Sequence, residues 1–212
     1  NGARIDAKDV DLLILESTYA ERDHPDRKET EKRFFDAVKE TIDNRGTAVL
    51  PCFAVGRSAE ILMILASFNP DFPMYLDGMS KTATELSLKY PELLRDANAL
   101  ERALGRTTEI WDDKDRKKIT KEPCAIITSS GMLEGGPSVR YIKYLYDDPS
   151  SSIIFTGFLI PKTAGRILVD SGRFVTEGFD LKIKMGIHRF DFSAHSGHTD
   201  LVNFAKEINP RK

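Results

Sequence analysis

The residues best placed to do chemistry lie in Phe190-Asp191-Phe192-Ser193-Ala194-His195-Ser196-Gly197-His198-Thr199-Asp200. Phe190 and Phe192 alternate with Asp191, the pattern of a half-buried strand end. Thr199 and Asp200 then open a helix whose apolar positions Leu201, Val202, Phe204, Ala205 and Ile208 keep the helical period. His195 therefore falls in a turn between a strand tip and a helix N-terminus. α/β proteins place reactive groups there, because the strand holds a side chain still and the helix start favours anions. An ordinary surface histidine in a turn is the competing reading, and this stretch alone does not separate the two.

Three other turns have the composition to hold phosphate: Gly56-Arg57-Ser58, Ser129-Ser130-Gly131, and Thr163 to Arg166. Each offers free backbone N–H groups together with a hydroxyl or a guanidinium. Glycines after strands are also common packing devices, so no single turn decides the matter. None matches a Walker loop or a GxGxxG fingerprint, which argues against a mononucleotide or dinucleotide cofactor. His188, His195 and His198 invite a metal reading, yet the chain contains no HxHxD run. Zinc sites gather several His, Cys or carboxylate ligands at short spacing. His195 and His198 lie instead in a turn with a glycine between them, and no metal ligand set is predicted in this chain.

The elements that must position these groups alternate. Asp9 to Glu16 is a nearly continuous apolar run, expected as a strand buried on both faces. A helix from about Asp26 to Asp43 follows, then a strand from Thr47 to Pro51 and a helix marked by Ile61, Leu62, Ile64, Leu65 and Phe68. Met74 to Leu76 is a brief strand, and Ser80 starts a helix that Pro91 interrupts. The polar stretch from Asp96 to Lys121 reads as helix mixed with irregular chain. Strands are predicted at Cys124 to Thr128, Ser152 to Thr156 and Leu181 to Met185, with a helix through Val139, Ile142, Tyr144 and Leu145. Strand–helix alternation with glycines after the strands predicts a mostly parallel sheet covered on both faces.

The 212 residues, 41% apolar and 30% charged, are enough to bury a core. A net charge of −2 supplies no global basic field, so nucleic acid would need a local groove. Cys52 and Cys124 are isolated and read as reduced core thiols, which implies a cytoplasmic setting. No apolar run approaches the roughly 20 residues of a membrane span. A start at Asn1 and a stop at Lys212 after a helix suggest a piece of a longer protein.

Taken together, Leu15-Glu16-Ser17-Thr18-Tyr19, Gly56-Arg57 with Glu60-Ile61-Leu62, Ser129-Ser130-Gly131-Met132-Leu133 and Phe192-Ser193-Ala194-His195 resemble the β-CASP branch of the metallo-β-lactamase superfamily. That group includes ribonuclease J and the endonuclease subunit of the cleavage and polyadenylation specificity factor. The resemblance covers nearly the whole chain in the family's order. It implies a three-layer, Rossmann-like α/β domain over 25–185. The flanking segments, 1–24 and 186–212, would then belong to a metallo-β-lactamase fold, as strands and a truncated helix.

It also implies a zinc-dependent ribonuclease in which His195 is the general acid and Glu16 its carboxylate partner. Arg57, Ser129, Ser130, Gly131, Thr163, Arg166 and Ser193 would bind substrate. Single-stranded RNA is the implied ligand, and the chain's own metallo-β-lactamase domain the implied partner, with a homodimer or processing-complex subunits beyond it. Two zinc ions are implied in the full-length parent and none in this fragment, because the family's HxHxDH run lies upstream of the Glu16 motif and its last histidine ligand lies downstream. The fragment by itself is therefore expected to be inactive. Two departures stand out: Phe158, Leu159 and Lys162 occupy positions where the family often has an aromatic residue followed by Gln and Glu, and Ala20 replaces a frequent glycine. The alternative is a non-catalytic RNA-binding or scaffold subunit of an RNA 3′-end processing complex.

Overall fold

In the computed structural model, residues 5–176 and 178–211 are described. Asp26 opens α1 (Arg27–Asp43), its carboxylate accepting from the Glu29 amide at 2.8 Å. The chain continues through β1 (Thr47–Pro51), α2 (Arg57–Ser67), β2 (Met74–Asp77), α3 (Met79–Leu88), a 3-10 turn (Pro91–Leu93) and α4 (Ala97–Gly105). Next come β3 (Thr107–Ile110), α5 (Asp113–Ile119), β4 (Cys124–Thr128), α6 (Gly136–Leu145), β5 (Ser152–Phe155) and α7 (Ala164–Ser171). The antiparallel pair β6 (Arg173–Thr176) and β7 (Phe179–Lys182) precedes β8 (Gly186–Arg189) and α8 (His198–Ile208).

Six strands form one sheet in the order β3-β2-β4-β1-β5-β8, and every pairing in it is parallel. The central strands β1 and β4 are buried at every position, as continuous apolar runs require when both faces are covered. Alternation along β1 sends Ala48 and Leu50 into a core shared with Phe34, Val38, Leu62 and Leu100, while Val49 joins a second core with Tyr141, Ile142, Leu168 and Phe174. Helices α1, α2 and α4 thus cover one face, and α6 and α7 with the β6–β7 pair cover the other. This is the expected α/β architecture. Because the strands are parallel, the turns that leave them toward a following helix all gather on one edge of the sheet.

Three expectations need correction. Residues 10–16 form no strand: Leu12 is 62% and Ile14 87% exposed. An apolar run becomes a buried strand only where neighbours complete its ladder and cover its faces. Among the described residues that run has neither, and backbone bonds tie it instead to the end of α8, Asp9 N–H to the Ile208 carbonyl at 2.8 Å and Arg211 N–H to the Val10 carbonyl at 2.9 Å. The polar stretch 96–121 contains β3, an edge strand with a single ladder partner that tolerates Thr and Glu. Leu181 to Met185 spans the end of β7 and a link to β8, and Phe190 to Phe192 lies beyond β8.

Candidate nucleic-acid interface

A cleft of about 210 Å³ opens where the turns after β1, β4 and β5 meet the chain leaving β8, lined by Phe53, Arg57, Gly131, Phe158, Ser193 and His195 among others. Gly131 is needed at the meeting of two turns: a Cβ there would lie 3.0 Å from both the Cys52 carbonyl carbon and the Phe53 nitrogen. Arg57, the first residue of α2, bonds through Nη1 to Glu60, which also receives Arg27 Nη2 at 2.5 Å. Arg27 Nε also donates to Glu31 at 2.6 Å, so two guanidiniums and two carboxylates form one ion-pair chain that fixes Arg57 at the cleft wall. The Cys52 thiol lines the same cleft, but burial pushes it up to about 12 and it is no nucleophile at neutral pH.

His195 is about half exposed, and its Nδ1 lies 3.2 Å from Glu16 Oε2. The Thr18 backbone N–H, at 2.9 Å, is the main group holding the Glu16 carboxyl below its ordinary range, aided by the Ser196 N–H and His195. With Glu16 facing Nδ1, Nε2 is the ring nitrogen turned away from the carboxylate. An exposed pair of this kind adds little stability; its value is in the orientation of the ring.

The loop bearing His195 is fastened to residues 16–24, some 170 positions earlier. Tyr19 Oη donates to Asp191 Oδ1 at 2.9 Å, and the same oxygen accepts the Ser193 amide. His24 Nε2 lies 2.8 Å from the His195 carbonyl and His198 Nδ1 lies 2.7 Å from the Ala20 carbonyl. Carbonyl oxygens only accept, so both ring nitrogens carry protons. Asp23 accepts both the Thr199 amide at 2.8 Å and the Thr199 hydroxyl at 2.6 Å, and these two bonds hold its carboxyl below the usual range.

A second groove, about 510 Å³, adjoins the first through Phe158 and is lined by Arg22, Arg166 and Arg189 with Ser17 and Thr18. Arg166 bonds Asp170 at 2.8 Å and Arg22 lies 3.6 Å from Asp191; Arg189 has no ion-pair partner among the described residues. Arg22 and Arg189 escaped the sequence reading. Each is a lone arginine there, and only the fold brings them beside Arg166.

The other expected residues are distributed unevenly. Ser193 lines the first cleft, but its Oγ accepts the His195 amide at 3.1 Å and shapes the loop. Ser129 is buried, its Oγ taking the Met79 amide, and the Ser130 amide bonds Ser138 Oγ at 3.0 Å. Thr163 donates its hydroxyl to the Ile160 carbonyl at 2.7 Å and lies in neither groove. Among the described residues no three His, Cys, Asp or Glu side chains converge as metal ligands. His24 and His198 each spend a ring nitrogen on a backbone carbonyl. These residues do not fit a zinc centre.

Comparison with known proteins agrees with the fold. Residues 59–168 match the Beta-Casp domain family, and residues 180–212 match the family described as a Zn-dependent metallo-hydrolase RNA specificity domain. A probable RNase, MJ4, of Methanocaldococcus jannaschii is 37% identical over 95% of this chain and 48% of its own length. The RNase aCSPSF2 of Saccharolobus solfataricus is 36% identical over 94% of this chain and 40% of its own length. Transcription termination factor FttA of Pyrococcus abyssi is 36% identical over 95% of this chain and 35% of its own length. The chain spans about half the length, or less, of these curated relatives. Among the described residues no helix is long and apolar enough to cross a membrane. On its matched domains and on the parallel sheet that gathers its polar turns along one edge, the chain belongs to the β-CASP family of metallo-β-lactamase ribonucleases.

Proposed function

We propose that the chain forms the RNA-binding wall of a ribonuclease and supplies its general acid. The observation that carries this reading is the His195–Glu16 pair, at 3.2 Å, beside a cleft that runs into a groove of three arginines. The Arg22, Arg166 and Arg189 guanidiniums bind phosphates of single-stranded RNA without reading bases, and Arg57 does the same at the first cleft. Cleavage of a phosphodiester leaves a 3′ oxygen that is a poor leaving group as a free alkoxide. Protonated His195 donates the Nε2 proton to that oxygen, while Glu16, facing Nδ1, orients the ring.

Residues 25–185 are assigned to the β-CASP unit, and 1–24 and 186–212 to a metallo-β-lactamase partner in the whole protein. The matched family's description makes zinc part of this proposal for the whole protein, in a cytoplasmic setting in keeping with two buried free thiols. Its partners there would be its own metallo-β-lactamase domain and a second copy or processing-complex subunits.

The test is His195→Ala in the full-length protein. General acid catalysis is worth about 10²–10⁴-fold, so RNA turnover should fall by that factor while RNA affinity stays within a few-fold. Unchanged turnover would return His195 to an ordinary turn residue and leave a binding-only role.

A further inference from the structure

The single tryptophan of the chain stands toward the far end of the same sheet edge. Trp111 directly follows β3 and is 65% exposed. One face of its ring is occupied: Lys81 Nζ lies 3.5 Å from the ring centroid. Lys81 itself is buried, and its ammonium donates to the Ile110 carbonyl. The indole therefore caps a buried cation on one side and presents its other face to solvent.

Lys81 interacts with Asp77, Glu109 and Glu85 as well as with Arg116. Asp77, fully buried, lies 3.9 Å from Lys81 but already accepts Arg116 Nε at 2.7 Å, Arg116 Nη2 at 3.0 Å and Tyr141 Oη at 2.8 Å. Two cations meet one carboxylate. Arg116 also lines a polar groove of about 570 Å³ together with Arg140, Lys143 and Tyr144. Asp113, two residues after Trp111, accepts Arg140 at 2.9 Å and Tyr144 at 2.8 Å. Arg116 and Arg140 are paired with Asp77 and Asp113, and Lys143 stands over the Phe179 ring. The groove is lined by these three cations and no carboxylate, beside a Trp111 face on which no described aromatic ring stacks.

That combination is what a nucleotide in a single strand needs: a π-face for the base and surplus positive charge for the phosphate. A neutral or basic peptide would use the ring but not the charge. Resting on the RNA reading of the cleft, we propose that Trp111 is a stacking platform for a base of single-stranded RNA, with the adjoining phosphate in the Arg116–Arg140–Lys143 groove. In the sheet, β3 and β8 are separated by five strand spacings of about 4.8 Å, so the platform lies roughly 24 Å from the strand that leads to His195. Exposed Met79 and Phe53, just after β2 and β1, mark the route between them. Trp111 then adds affinity for longer strands and touches no reacting atom.

A lone tryptophan makes the test direct, because fluorescence excited beyond the absorption of the six tyrosines reports only this residue. The chain is titrated with an oligouridylate of about 12 nucleotides, within the about 4–16-nucleotide footprints of single-strand binders. Tryptophan fluorescence and the anisotropy of a labelled oligonucleotide are both recorded. The expected result is a fluorescence change with the same midpoint as the anisotropy. Trp111→Ala should weaken binding by about 5- to 150-fold, Trp111→Phe by much less, and Lys143→Gln should reduce the salt slope by about one. Binding with unchanged tryptophan fluorescence and an unaffected Trp111→Ala variant would overturn the platform and leave the cleft reading standing. No binding at all would overturn both.

Discussion

The central sheet and the joint between residues 16–24 and 191–199 hold their shapes by different physics. In the sheet, β1 and β4 are wholly buried between two apolar cores, and Arg57 and Gly131 sit at its edge as a consequence of that packing. In the joint, Glu16, Asp23 and Asp191 fasten exposed backbone through side-chain hydrogen bonds. The cleft wall is therefore set by burial, which is indifferent to pH, and the general-acid candidate by carboxylates, which are not. The RNA-binding and proton-transfer halves of the proposed site are separable.

The largest expected difference comes from the core. Leu62 is fully buried, and Leu62→Ala should cost about 2–5 kcal/mol in denaturant unfolding, with sheet and joint lost together. Selective loss of the joint would break the contrast. Tyr19→Phe removes one donor from Asp191 and should cost about 0.5–1.5 kcal/mol. Hydrogen exchange should then quicken across 191–199 and stay slow in β1 and β4.

How much of this was legible in sequence follows from the same division. Continuous apolar runs announced β1, β4 and β5, because a strand covered on both faces leaves no room for polar residues. The polar edge strand β3 gave no such signal. The run at 10–16 misled, since apolarity predicts burial only where something covers it. His195 and Glu16 were recognisable through a family resemblance, not through spacing, as they meet across a separation of 179 positions. Arg22 and Arg189 had no signal beyond their charge, and the internal bonding of Ser129 and Ser130 depends on partners that the fold alone supplies.

Acid sharpens the comparison. Glu16 and Asp23 both have lowered carboxyl pKa values. Their contribution is present above the ordinary carboxylate range, near pH 4, and is lost as pH falls through the lowered values. Amides of Ser196 and Thr199 should therefore lose protection below about pH 4 before those of β1 and β4. Simultaneous loss would contradict the carboxylate account. The smallest effect is expected at the thiols: burial pushes both Cys52 and Cys124 up to about 12. Neither should react with iodoacetamide near neutral pH in the folded chain, and rapid alkylation of Cys52 would mean that the cleft floor opens.

The most direct measurement compares two substrates in the full-length protein and its His195→Ala variant. RNA leaves through a 3′ oxygen that needs a proton; an activated aryl phosphodiester leaves through an oxygen that does not. If His195 is the proton donor, the variant loses about 10²–10⁴-fold on RNA and less than about tenfold on the aryl ester. Equal losses on both substrates would contradict that role.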